Sequence, residues 1–225
     1  MDSIPAGDAW LIRQTATVCE ERTATMHDLA EGIAQFRREV FTAKSDLFAH
    51  LAATHTPDTL FIGCSDARVV PELITSSEPG ELFVIRTAGN LVPAYGSGAD
   101  AVAASIEYAV AVLEVARIVV CGHSACGAMT ALAQGHDLTA VPMVAEWLHH
   151  ADAARARVAD NAVGQLIRRN VVAQLTNLAT HPSVARRLAD HSLTLHGWVF
   201  DIPTGAVEEL PADIAAVARH RKEIR

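Results

Sequence analysis

Short, almost wholly apolar runs alternate along the chain with stretches in which apolar residues recur every three or four positions. Thr59-Leu60-Phe61-Ile62-Gly63, Leu82-Phe83-Val84-Ile85-Arg86 and Arg117 to Cys121 are of the first kind. Runs of this length, continuous rather than alternating, predict strands buried on both faces. Ser192 to Ile202 adds a late strand, and Ala206 to Leu210 a short edge strand. The helical period appears from Met26 (Met26, Leu29, Ile33, Phe36, Val40), again over 43–53, over 100–114 (Val102, Ile106, Ala109, Leu113), and over 162–179 (Ile167, Val171, Leu175, Leu178). Val69 to Ile74, the stretch after Cys126 and the one opened by Pro142 predict shorter helices. Pro57 and Pro79-Gly80 mark turns.

Strands alternating with helices imply right-handed βαβ units. The fold class is α/β: a mainly parallel sheet of four strands plus a late edge strand, flanked by helices, with an N-terminal helical arm. Residues 1–25 carry weak pattern and read as a leader or arm without fixed structure, or as sequence upstream of a start at Met26. Residues 26–225 read as a single domain.

Composition narrows the function. The net charge of −8 argues against non-specific nucleic-acid binding. No apolar run approaches the ~18 residues of a membrane span, and charged residues interrupt the N-terminal stretch where a signal peptide would need a continuous apolar core. Four cysteines at this length do not make a secreted disulfide framework. A cytoplasmic protein is expected.

The chemistry gathers at two predicted strand ends. One carries Cys64-Ser65-Asp66-Ala67-Arg68, the other His123-Ser124-Ala125-Cys126. In parallel sheets ligands bind beyond the carboxyl ends of strands. Cys64, His123 and Cys126 supply three zinc ligands. The fourth corner is open to two readings. Water there makes a catalytic site; Asp66 there closes it into a structural one. Arg68 can grip Asp66 in a forked contact that holds the carboxylate off the metal. Taken singly, each motif is weak: a cysteine is more often an apolar filler, and a nearby Asp-Arg pair more often a surface ion pair. Gly96-Ser97-Gly98-Ala99-Asp100-Ala101 imitates a dinucleotide fingerprint but follows a loop instead of a strand. Cys121 is expected to be buried and inert, Cys19 incidental, and Glu208-Glu209 a solvated face. His149, His150, His181, His191 and His196 are expected to be surface or core histidines.

Together with Glu78 to Arg86, Ala88-Gly89-Asn90-Leu91-Val92-Pro93, Ile106 to Val110 and Cys121 to Met129, these motifs resemble a β-class carbonic anhydrase over about Met26 to Leu210. The resemblance is to the bacterial branch associated with cyanate metabolism, itself similar to the plant enzymes. It implies reversible hydration of CO2 to bicarbonate and a proton by zinc-bound hydroxide. One Zn2+ per chain would be held by Cys64, His123 and Cys126. Asp66 and Arg68 would be the catalytic pair, and Asp66 would be able to swing onto zinc in a closed form. It implies a dimer, extending to a tetramer or octamer, and a small apolar CO2 pocket formed by Phe83, Ala88 and Tyr108. Where this branch carries glutamine the chain has His55, expected in the substrate pocket as a donor or proton relay, with an exposed turn histidine as the alternative. Thr87 replaces an asparagine. Phe61 replaces the tryptophan of a bicarbonate-inhibited subgroup, whose bicarbonate-binding arginine matches Arg86, and this predicts the open form near neutral pH. Rival functions are hydrolysis of CS2 or COS on the same site, and a non-catalytic zinc or bicarbonate-binding module.

Overall fold

A computed structural model describes residues 29–96, 98, 100–156 and 158–211. The N-terminal leader, Cys19 and the basic cluster at 219–225 lie outside the described residues. The chain divides into two compact units, Met1–His55 and Thr56–Arg225.

In the first unit, helix α1 (Leu29–Gln35) runs into a wider π-helical stretch, Phe36–Phe41, before helix α2 (Ser45–Leu51). Phe36, Phe41 and Phe48 pack ring to ring, with centroids 5.2–6.3 Å apart. Leu29 and Ile33 leave apolar side chains 83% and 63% exposed.

The second unit runs β1 (Thr59–Cys64), α3 (Pro71–Thr75), β2 (Leu82–Thr87), α4 (Ala101–Glu107), β3 (Arg117–His123), α5 (Gly127–Gln134), α6 (Pro142–Leu148), α7 (Asp152–Arg155), α8 (Val163–Leu178), α9 (Pro182–Ala189), β4 (Thr194–Phe200) and β5 (Val207–Leu210). Proline opens α3, α6 and α9, where its fixed φ suits the first turn and its missing N–H costs nothing. Asp100 caps α4 by accepting from the Val102 and Ala103 amides at 2.8 Å each. The expected helix over 100–114 is present, its last part widened into a π-turn over Tyr108–Val112.

The strands form one sheet in the order β2-β1-β3-β4-β5. The first four are parallel and β5 is antiparallel to β4. This is the α/β class expected from the sequence. Because the chain leaves β1 to one side and returns on the other, the topological switch lies between β1 and β3, where α/β sheets place their ligands.

Alternation along each strand separates two apolar layers. Leu60, Ile62, Ile118, Val120, Leu195 and Val199 join the main core with the helices, while Phe61, Val119 and Cys121 pack with Trp198 and Phe200 on the other face. Helix α8 lies tight on the main-core face. A Cβ on Gly122 would stand 2.9 Å from Val171 Cγ2, and one on Gly197 3.0 Å from Val171 Cγ1.

Two strands run further than their apolar runs suggest. Cys64 pairs with Thr87 and His123 with Phe200, so both residues sit on the last rungs of the ladder. Ladder pairing continues through polar residues when the neighbouring backbone is in register. Helix α9 has no counterpart in the sequence reading. Its apolar positions are few, and Arg187 spends its donors on the Val110, Val115 and Ser192 carbonyls.

Candidate metal centre

The register brings Gly63 opposite Cys121, so the carboxyl ends of β1 and β3 finish side by side. The turn after β3 then returns Cys126 to the same point. The ligand atoms of Cys64, His123 and Cys126 lie within 4.8 Å of one another, and all three residues are buried. Ala125, in the left-handed region at φ 54°, gives the turn its tight reversal.

His123 is fully buried. Its Nδ1 donates to the Ser124 carbonyl at 2.9 Å, which leaves the lone pair on Nε2. Among the described residues that Nε2 has no hydrogen-bond partner. A buried, aimed and unsatisfied nitrogen beside two thiols is what a zinc site presents, so the donor set fits the metal.

The thiols differ electrostatically. Cys64 is pushed well below its ordinary pKa, first by hydrogen bonding with the Cys126 thiol, then by His123 and by the backbone N–H groups of Asp66 and Gly89, against the effect of burial. Cys126 is pushed up, first by the Cys64 sulfur and then by burial. A divalent cation bound here would need both thiols deprotonated, so its binding would displace the proton that Cys126 retains. Cys121 is fully buried on the opposite layer, and burial raises its thiol to about 12.

Asp66 lies beside the cluster, its side chain 18% exposed. Arg68 Nε donates to its Oδ1 at 2.9 Å and Arg68 Nη2 to its Oδ2 at 2.7 Å. The Arg68 backbone N–H adds a third bond, at 3.0 Å. These bonds, with the Arg68 side chain foremost, hold the carboxyl near 2. Asp66 Oδ2 is 3.9 Å from His123 Nε2. Arg68 is anchored in turn by the Ala125 carbonyl at 3.1 Å, which links the two ligand-bearing turns.

Arg86 does something the sequence did not suggest. Its Nε donates to the Cys64 carbonyl at 3.1 Å, and its Nη2 to the Asp66 and Val69 carbonyls at 2.6 and 2.8 Å. It clamps the turn that carries Cys64, Asp66 and Arg68. Phe83 and Tyr108 lie ring to ring at 6.0 Å. Ala88 follows β2 with its carbonyl held by Trp147 Nε1 at 2.9 Å. Thr87 Oγ1 donates to the Leu91 carbonyl at 2.9 Å, which ties the end of β2 to the loop that follows it. His55 ends the first unit and is exposed.

Sequence reasoning also missed a set of amide side chains on α8. Asn170, Gln174 and Asn177 bond the loop after β2. Their signal was present in the pattern, as polar residues at helical spacing beside the apolar stripe Ile167, Val171, Leu175 and Leu178.

Of the other histidines, His181 is buried and donates from Nε2 to the Pro93 carbonyl. His149 is exposed beside Asp152, and His196 pairs with Glu209. Glu208 pairs with Arg168.

Residues 59–207 match the carbonic anhydrase family. A carbonic anhydrase of Pseudomonas aeruginosa is 54% identical over 192 residues, covering 82% of this chain and 87% of that protein. Among solved structures, the β-carbonic anhydrase CcaA superposes with a TM-score of 0.78 at 40% identity, covering 83% of this chain and 95% of that one. One of two tetrameric β-carbonic anhydrases from Sordaria macrospora gives 0.66 at 29% identity, covering 86% and 96%. No helix among the described residues is long and apolar enough to cross a membrane. In sequence, in the order of its sheet and in the cluster at the ends of β1 and β3, the chain belongs to the β-class carbonic anhydrases.

Proposed function

We propose that the chain catalyses the zinc-dependent, reversible hydration of CO2 to bicarbonate and a proton, with Cys64, His123 and Cys126 holding one zinc ion. The observation that carries this reading is the disposition of Asp66. Its carboxylate lies beside the three ligand atoms yet is held by Arg68, which leaves a fourth position for water. Bound zinc supplies the Lewis acidity that makes water a nucleophile near neutral pH.

The protein's own groups do the rest. Asp66, kept ionised by Arg68, accepts a hydrogen bond from the nucleophile and so orients its lone pair. Arg68 keeps the carboxylate from closing on the metal, which supports the open form. Ser124 fixes the His123 tautomer through its carbonyl. The Asp66 and Gly89 amides soften the charge on Cys64. Phe83, Ala88 and Tyr108 are proposed to bound an apolar space for a linear, uncharged substrate, supported by the tilted contact between the Phe83 and Tyr108 rings.

A cytoplasmic location is proposed because the ligand set needs reduced thiols. Self-association as a dimer or tetramer is proposed as well. It is supported by the exposed apolar side chains of α1 and by the likeness to the tetrameric enzymes of Sordaria macrospora.

Stopped-flow CO2 hydration by zinc-loaded protein tests the reading. The expected result is a rate well above buffer from pH 7 to 9. A rate equal to buffer across that range, with one zinc bound per chain, would overturn it.

A further inference from the structure

Ser124 stands between the metal cluster and the β4–β5 hairpin and is bonded to both. Its backbone N–H donates to the Phe200 carbonyl at 2.9 Å, just beyond the last ladder pair, His123 with Phe200. Its Oγ accepts from the Ile202 amide at 2.9 Å. Its carbonyl accepts from His123 Nδ1 at 2.9 Å. One residue thus joins the end of β4, the turn that follows it and a buried imidazole.

The turn is a firm anchor. The Asp201 N–H donates to the Ala206 carbonyl and the Gly205 N–H to the Asp201 carbonyl, at 2.8 Å each. Thr204 Oγ1 donates to Asp201 Oδ2 at 2.5 Å. The Ile202 N–H is committed to Ser124 instead. On the other side of Ser124, Ala125 is left-handed at φ 54°, a conformation that persists in a non-glycine residue only where its surroundings over-determine it. Arg68 Nη2 holds the Ala125 carbonyl at 3.1 Å. The peptide whose oxygen meets His123 Nδ1 joins Ser124 to Ala125, so it lies between the grip of the hairpin and that of Arg68. An imidazole bonded to the carbonyl of the next residue has to follow any rotation of that peptide. Nε2, on the same rigid ring, turns with it, and this is the buried atom left without a hydrogen-bond partner among the described residues.

We propose that Ser124, through its hydroxyl, is a positioning residue of the metal centre. It ties the β4–β5 turn to the Ser124–Ala125 peptide and so fixes the direction in which His123 presents Nε2. This rests on the proposed assignment of Cys64, His123 and Cys126 as metal ligands. The turn after β4 supplies none of these three, yet it restrains one of them. Groups that orient a metal-bound imidazole from outside the coordination sphere commonly change metal affinity 10–100-fold when removed.

The test uses the full chain. The Co2+-loaded protein is read by the hyperfine-shifted NMR resonance of the His123 Nδ1 proton, and zinc affinity is read by chelator competition. Ser124→Ala keeps the carbonyl that accepts from His123 and removes the acceptor of the Ile202 amide. It is expected to shift the proton resonance, speed its exchange with water and weaken zinc about tenfold. Ser124→Thr, which keeps the hydroxyl, is expected to stay near the wild type in all three. Leu210→Ala truncates a buried residue of the same hairpin and is expected to lower the melting temperature while leaving the resonance in place. An unmoved resonance with unchanged zinc affinity in Ser124→Ala would overturn the proposal and leave the ligand assignment standing. If Ser124→Ala does not fold, the wild type decides. Because linked equilibria act reciprocally, zinc is expected to slow hydrogen exchange of the Ile202 amide about tenfold relative to the chelated protein. Equal exchange with and without zinc would overturn the proposal. A wild-type chain that binds neither metal would remove the ligand assignment and this proposal with it.

Discussion

Arg68 holds both carboxylate oxygens of Asp66, at 2.9 and 2.7 Å, and is tied by its own Nη2 to the Ala125 carbonyl between His123 and Cys126. Asp66 is therefore aimed from the opposite turn. Arg68→Ala should keep its metal and lose turnover by about 10–100-fold, as for other groups that orient a site from outside it. Arg68→Lys should rescue little, because an ammonium cannot reproduce the two-pronged contact. Steady-state CO2 hydration with metal content measured on the same samples checks both.

Ligand and gate separate by stoichiometry. Cys64→Ala removes one of three clustered donors and should lower zinc content well below one per chain. Asp66→Ala should retain zinc and lose rate. Elemental analysis beside stopped-flow rates checks the pair, and full zinc retention by the Cys64 variant would contradict the ligand assignment.

Arg86 satisfies three backbone carbonyls of the Cys64–Val69 turn. Arg86→Ala leaves these acceptors to solvent or unmade, and should cost about 1–3 kcal/mol of folding stability. Denaturant unfolding measures the loss. Slower CO2 hydration is expected with it, because the turn also carries Asp66 and Arg68.

Gly122 has no room for a side chain between β3 and α8. Gly122→Ala should destabilise by about 1–3 kcal/mol through overpacking against Val171 and Ile167. Gly127→Ala, where a Cβ meets nothing within 4 Å, is the matched control. Thermal melts of the two should diverge clearly.

Acid stability should depend on Asp66. Its carboxyl falls from an ordinary 3.8 to about 2 in the folded protein, chiefly through Arg68. A depressed carboxylate stabilises the fold above its unfolded pKa, and the benefit is lost as the pH drops from near 3.8 toward 2. Solvent screening at this partly open site reduces the effect to about 1 kcal/mol. Melting curves at pH 6, 4, 3 and 2 should show a shallower acid decline in Asp66→Asn than in the wild type.

The sheet and the clustering of Cys64, His123 and Cys126 were legible because both are written locally. Leu60 to Gly63 and Ile118 to Gly122 are apolar runs that end in thiol or imidazole, and a buried parallel strand shows its identity in its own residues. Arg68 could be paired with Asp66 on spacing alone. Arg86 could not be assigned in this way, because its acceptors are backbone carbonyls that only the folded turn assembles. The amides of α8 were visible as polar residues at helical spacing, but their partners were not, for the same reason. Asn170 and Gln174 look like solvated positions until the loop after β2 is laid against them. Helix α9 escaped notice because Arg187 makes tertiary hydrogen bonds that no periodicity records.

The parallel pairing of β1 with β3 also spreads the clustered residues far apart along the chain. Parallel neighbours cannot be joined by a tight turn, so the two strand ends are bridged by the crossover carrying β2 and α4. During synthesis Cys64 emerges first and waits for its companions at positions 123 and 126. Until they arrive it is a lone thiol, unable to hold a metal firmly and open to oxidation. On the proposed assignment, metal loading requires β1 and β3 to be paired, but not β4 or β5, which follow Cys126 in the chain. The coordination bonds of that assignment would close a long loop between positions 64 and 126, so a product with β1 and β3 out of register would be recognisable by its failure to load.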